Sequence, residues 1–165
     1  MVAKGAITMK TVQYWIDKLE LLPHPEGGYY RQTDLSETKY ENTELPLFTT
    51  IYFLLSADNS SHFHQLTSDE LWFFHDGEPL TVHELHPDGS YTFTELGKEK
   101  FHYTVKAGSI FGSTVKQGYA LVSCAVVPGF DFSNFKLFTQ SDLLESHPDH
   151  KTIIKELAFK ELPEE

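Results

Sequence analysis

The chain has 165 residues and a formal charge of −11, from 13 Lys plus Arg against 24 Asp plus Glu. That length suffices for one domain with its own core, and that charge repels phosphate backbones, which excludes a nucleic-acid partner. No apolar run approaches a membrane span, and the single cysteine, Cys124, has no disulfide partner within the chain.

The opening "MVAKGAITMK" lacks the apolar core of a signal peptide, so the expected setting is the cytoplasm. In "TMKTVQYWIDKLELL", Val12, Trp15, Ile16, Leu19 and Leu22 recur at helical spacing, which predicts an amphipathic helix within about 9–22. It ends at "PHPEGG", where Pro and Gly cannot continue it. Trp15 is expected as a core anchor.

From about 27 to 138 the pattern changes to short runs rich in β-branched and aromatic residues. These include "GGYYRQT", "LFTTIYFLL", "ELWFFHD", "LTVHELH", "SYTFTEL", "FHYTVKA" and "YALVSCAVV". Turn residues separate them, and "HPDGSY" carries the strongest hairpin signal because Asp-Gly accepts positive φ. Many short strands without intervening helices predict an antiparallel sandwich or barrel. "TTIYFLL" and "YALVSCAVV" are apolar at both parities and need cover on both faces, from terminal helices or from a second copy in a homodimer. Cys124, inside the second run, reads as a small buried hydrophobe. The tail "TQSDLLESHPDHKTIIKEL" returns to short helices over about 140–158, and no linker interrupts a single domain spanning 1–165.

Chemistry concentrates in "SSHFHQLTSDELWFFHDG". On an extended strand His62 and His64 share a face, and Glu70 returns on the next strand. Two imidazoles and a carboxylate suit a divalent metal. The same trio also suits metal-free proton transfer, with a carboxylate orienting a histidine base. Tyr29, Tyr30, Tyr52 and Tyr103 are candidate proton donors. In "LLPHPEGGYYRQT" the paired glycines mark a bulge or close backbone approach. Beyond them Tyr29 and Arg31 share one face, and Tyr30 and Gln32 the other. Arg31 is the only arginine, a rigid fork suited to an anionic group or to an ion pair.

His62-x-His64, Glu70 and Gly77 resemble the first motif of the cupins, and "KAGSIFGS" lies where their second motif is expected. More specifically, "PHPEGGYYR" and "PGFDF" resemble a cupin family of uncharacterised function, allied in fold to the deoxysugar-epimerase type. The resemblance runs from about Leu21 to Leu157. It implies a double-stranded β-helix, or jelly-roll barrel, with terminal helices, commonly a homodimer, with an open-ended cavity for a small ligand. Two departures stand out. Glu70 comes one residue later than usual, and Phe111, Gly112 or Ser113 occupies the place of the second motif's metal-binding histidine.

The expectation is therefore a cupin that binds a small polar metabolite, sugar-like or anionic, and acts as an isomerase or epimerase. His64 is the base, Glu70 orients it and Tyr52 is the acid. Glu26, Tyr29, Arg31, Trp72, Phe111 and Ser113 contact the ligand. The alternatives are a metal-dependent oxygenase or isomerase using His62, His64 and Glu70, and a non-catalytic binding or storage module.

Overall fold

The structure, a computed structural model, describes residues 9–164. Residues 1–8, which hold most of the N-terminal segment weighed as a leader, and residue 165 lie outside the described residues. Helix α1 spans Val12–Leu19 and starts on Thr11, whose Oγ1 accepts from the Tyr14 amide at 3.1 Å. It stops earlier than its apolar spacing predicts, because Glu20 takes a left-handed conformation with φ 52°. Leu21, not Leu22, therefore holds the buried place beside Trp15, and Leu22 is exposed.

Two antiparallel sheets follow, the predicted β barrel. The six-stranded sheet runs β1 (Leu22–Pro23), β2 (Tyr29–Leu35), β3 (Thr49–Ser56), β10 (Tyr119–Val127), β5 (Asp69–Gly77), β8 (His102–Val105). The five-stranded sheet runs β11 (Phe135–Leu137), β4 (Ser61–Leu66), β9 (Ile110–Val115), β6 (Leu80–Leu85), β7 (Tyr91–Leu96). The β6–β7 hairpin turns at the predicted Asp88-Gly89, with Gly89 at φ +86° and Asp88 accepting from the Ser90 amide at 2.9 Å.

Inward side chains of both sheets, among them Phe53, Trp72, Leu80, Val82, Phe111 and Val122, form one apolar interior. The strands with apolar residues at both parities, β3 and β10, find outer cover in α1 and the residues just after it, where Trp15 and Leu21 pack on Leu54 and Leu121. Helices α2 (Gln140–Ser146) and α3 (Lys151–Leu157) cover the other sheet by burying Leu143, Ile154 and Leu157 against Phe63 and Leu85. Burying a leucine or isoleucine in this way is worth roughly 1.5–3 kcal/mol each, which anchors both terminal segments to the barrel.

Candidate functional site

One end of the barrel opens into a cavity of about 280 Å³. The turn between β1 and β2 reaches into it because of its two glycines. Gly27 sits at φ +107°, where a Cβ would overlap the Ser60 carbonyl oxygen. Gly28, at φ +75°, would place one 2.6 Å from Leu55 Cδ2. No larger residue permits this approach. The turn closes through the Gly27 amide donating to His24 O at 3.0 Å and the His24 amide donating to Gly28 O at 3.0 Å. His24 and Glu26 are thereby set into the cavity wall.

Glu26 meets His64, which comes from β4. His64 Nε2 lies 3.1 Å from Glu26 Oε2, and both side chains are nearly fully buried. The other imidazole nitrogen, Nδ1, lies 2.7 Å from the His62 carbonyl, which can only accept, so Nδ1 carries a proton. In a neutral ring Nε2 is then an acceptor, and the proton between it and Glu26 belongs to the carboxyl. The electrostatics agree. Burial, reinforced by the charge of Glu70, raises Glu26 well above the usual carboxylate range, against a smaller opposing effect of the Ser61 hydroxyl. Burial also lowers His64 to about 3. Both directions favour the uncharged pair, Glu26 protonated and His64 neutral.

Glu70, from β5 on the facing sheet, also lines the cavity. Burial lifts it to about 7, while the neighbouring Cys124 thiol pulls it slightly back. Its Oε2 has no hydrogen-bond partner among the described residues. His24 is held near 4 by burial, and its Nδ1 accepts from the Glu26 amide at 3.2 Å. The remaining wall is largely aromatic, with Tyr30, Phe130, Phe132 and Phe135. The "PGFDF" loop supplies its Phe130 and Phe132, and is pinned by the Phe130 amide donating to Thr49 Oγ1 at 2.9 Å and the Gly129 amide donating to Pro46 O at 2.8 Å.

Three of the predicted site residues, Glu26, His64 and Glu70, share this cavity. Others lie elsewhere. The register of β4 against β9 shifts between Ser61 and His64, so Ser61 rather than His62 shares the face of His64. His62 instead stacks on Phe159 at 3.8 Å between ring centroids and donates from Nδ1 to Glu26 O at 2.8 Å. Tyr29 and Tyr52 point to the outer face, packed with the α1 cluster. Arg31 is on that outer side too, with its guanidinium 2.7 Å from Glu20. Strand alternation in β2 is as predicted, but Tyr30 and Gln32 face the cavity instead of Tyr29 and Arg31. Trp72 and Phe111 are buried in the barrel interior outside the cavity wall, and Phe111 backs the His64 ring at 4.1 Å between centroids. Ser113 is fully buried across from Ser61. Glu70 does not orient His64; Glu26 does.

Sequence reasoning assigned no role to His24 and placed Cys124 in the core. Cys124 is indeed buried, but it lines the cavity beside Glu70. The acidic residue directly before the glycine pair was the available signal for the turn's role. The donor set does not fit a metal ion. His62 is turned away, Glu26 occupies His64 Nε2, and among the described residues no three His, Cys, Asp or Glu side chains are disposed to hold one.

A family profile described as Cupin superfamily (DUF985) matches residues 13–138. Two solved structures are similar over nearly their full length. Protein SO0799 from Shewanella oneidensis is 42% identical with a TM-score of 0.88, covering 93% of this chain and 100% of that one. A hypothetical protein from Leishmania major is 40% identical with a TM-score of 0.86, covering 91% and 99%. The uncharacterized protein YML079W of Saccharomyces cerevisiae is 27% identical over 159 residues, covering 82% of this chain and 79% of the yeast protein.

Proposed function

The chain belongs to the Cupin superfamily (DUF985) family, and from that premise we propose that its cavity binds a small polar metabolite and isomerises it by proton transfer. The observation that carries the reading is the 3.1 Å contact between Glu26 Oε2 and His64 Nε2, with the imidazole tautomer set from behind by the His62 carbonyl. This pair holds an acid and a base side by side without net charge, which suits a site that burial keeps from stabilising ions.

A ligand between the two groups receives the Glu26 proton at an oxygen or carbon. It gives up another proton to His64 Nε2. The resulting carboxylate–imidazolium pair then passes the proton from Nε2 back to Oε2 and is restored. The ligand has exchanged the position or face of one hydrogen, which is the net change of an isomerase or epimerase. Ser61 Oγ holds Glu26 Oε1 at 2.9 Å and so keeps Oε2 toward the imidazole. Positioned acid–base catalysis of this kind is worth about 10²–10⁴ in rate.

The test works without a named substrate. The protein is incubated in D₂O with a metabolite extract, and carbon-bound deuterium is read by mass spectrometry. The expected result is a gain of one deuterium in a small set of compounds, reduced about 100-fold or more in Glu26→Gln. No labelled compound, or equal labelling by the variant, would sink the reading. Retention of a metabolite without labelling assigns the cavity to binding alone.

A further inference from the structure

The cavity wall specifies the charge of its ligand. Among the described residues, three carboxyl groups face it, those of Glu26, Glu70 and Asp131, and no Lys or Arg does. Its two histidines, His24 and His64, add no positive charge at neutral pH, because burial keeps both neutral. The sole arginine, the anchor expected for an anionic ligand, is engaged with Glu20 outside the barrel. Glu26 is protonated, but a bound anion would still face Asp131 and the titrating Glu70 without a counter-charge, inside a protein whose formal charge is already −11.

Two further observations point to a cation rather than a neutral ligand. Glu70 is only 7% exposed, lines the cavity and leaves Oε2 without a partner. Buried polar oxygens are normally satisfied, and beside the weak donor Cys124 this carboxyl keeps one oxygen open to a further donor. Beside it the wall presents the rings of Tyr30, Phe130, Phe132 and Phe135. The three phenylalanines pack edge to face on one another at 5.1–5.9 Å between centroids. Aromatic faces attract ammonium groups through their quadrupole and accept the attached carbons. Asp131, at the more exposed part of the wall, is held in its ionised form by hydrogen bonds from Ser133.

We propose that the cavity selects a small ligand bearing a protonated amine, with its ammonium on Glu70 and its carbon frame against the aromatic wall. The proposal rests on reading the cavity as a ligand site, and it names the chemical class that the Glu26–His64 pair acts on. The amine's charge offsets Glu70, leaving the uncharged pair free for proton transfer.

The experiment uses probes matched in skeleton and differing in charge. The sets are benzylamine, benzyl alcohol and benzoate; ethanolamine, ethylene glycol and glycolate; and glucosamine, glucose and glucuronate. Binding is followed at pH 7 by the His64 and His24 ring resonances and by calorimetry. The expected order is ammonium above alcohol, with carboxylates not binding. Glu70→Gln should weaken the ammonium probes about tenfold or more while changing the alcohols less than about twofold. Asp131→Asn, which keeps the cap on Ser133, gives a second reading if Glu70→Gln does not fold, and should lower ammonium affinity selectively by about twofold. If alcohols or carboxylates shift the ring resonances and ammonium probes do not, the amine assignment falls and the cavity reading stands. Retention of full ammonium affinity in Glu70→Gln, or in Asp131→Asn where Glu70→Gln does not fold, overturns the assignment as well. If none of the nine probes moves those resonances, the cavity reading falls with it.

Discussion

Ser61 Oγ donates to Glu26 Oε1 at 2.9 Å across 35 positions of sequence, joining β4 to the turn before β2. Both groups are buried, so this bond decides which carboxyl oxygen faces His64. Ser61→Ala leaves Oε1 without a donor in a dry site, and we expect a loss of about 1–3 kcal/mol in urea unfolding. The same variant should raise the Glu26 pKa further, because the serine bond favours the ionised form. Carbon-13 titration of the Glu26 carboxyl would show it, and an unchanged titration would count against the bond.

Stability should pass through a maximum near pH 6.5. His24 and His83, near 4, and His64, near 3, lie below their ordinary 6.5 in the folded protein. Their unfolded forms bind protons first, so stability present above pH 6.5 is lost as pH falls below it. Glu70 has the opposite sign. Its folded value of about 7 lies above 4.5, so the folded state is favoured at low pH and loses that advantage as pH rises toward 7. Glu26 shifts in the same direction. Between 4.5 and 6.5 these histidines, joined by His62, which burial lowers as well, outweigh the two carboxyls, and just above 6.5 only the carboxyls act. Each group contributes a slope of at most about 1.4 kcal/mol per pH unit. Thermal unfolding against pH checks the curve, and Glu70→Gln should flatten its alkaline side.

Gly27 and Gly89 both have positive φ but differ in surroundings. An alanine at 89 meets nothing within 4 Å, whereas one at 27 runs into the Ser60 carbonyl. Gly89→Ala should cost about 1–2 kcal/mol for its backbone alone. Gly27→Ala should cost about 3 kcal/mol or more and displace Glu26 from the cavity. Equal midpoints in denaturant titrations would contradict the role given to this turn.

Arg31→Ala tests the outer placement of the only arginine. Its partner Glu20 is well exposed, and such pairs contribute less than about 1 kcal/mol. We expect no change in ligand binding. Removing the Tyr30 ring with Tyr30→Ala should weaken binding, because that side chain lines the cavity. A binding loss confined to Arg31→Ala would reverse the assignment of faces.

Much of the fold was legible in local pattern. Trp15 as an anchor, the Asp88-Gly89 hairpin and the terminal helices follow from spacing and turn chemistry that neighbouring residues determine. The choice of inward face on β2 does not, since it depends on pairing with β3, which sets Tyr30 against Phe53 and Arg31 against Tyr52. Nor does the shift between Ser61 and His64, because alternation assumes an unbroken ladder, whereas three steps of β4 there match only two of β9. His24 and Glu26 lay in a segment whose Pro and Gly residues signal where a helix stops, and that signal says nothing about where the turn is delivered. Cys124 reads as apolar along its strand. Its acidic neighbour Glu70 comes from β5, one strand over.

The shift in β4 divides one short strand between two surroundings. Ser61 and His64 serve the cavity, while Phe63 joins the α2–α3 core and His62 lies against Phe159. Because the His62 amide and ring both hold the Glu26 carbonyl, the far end of the chain has a mechanical grip on the acid. The C-terminal segment is thus a remote setting screw for the proton-carrying pair, so damage at Phe159 is felt at Glu26 without anything entering the cavity.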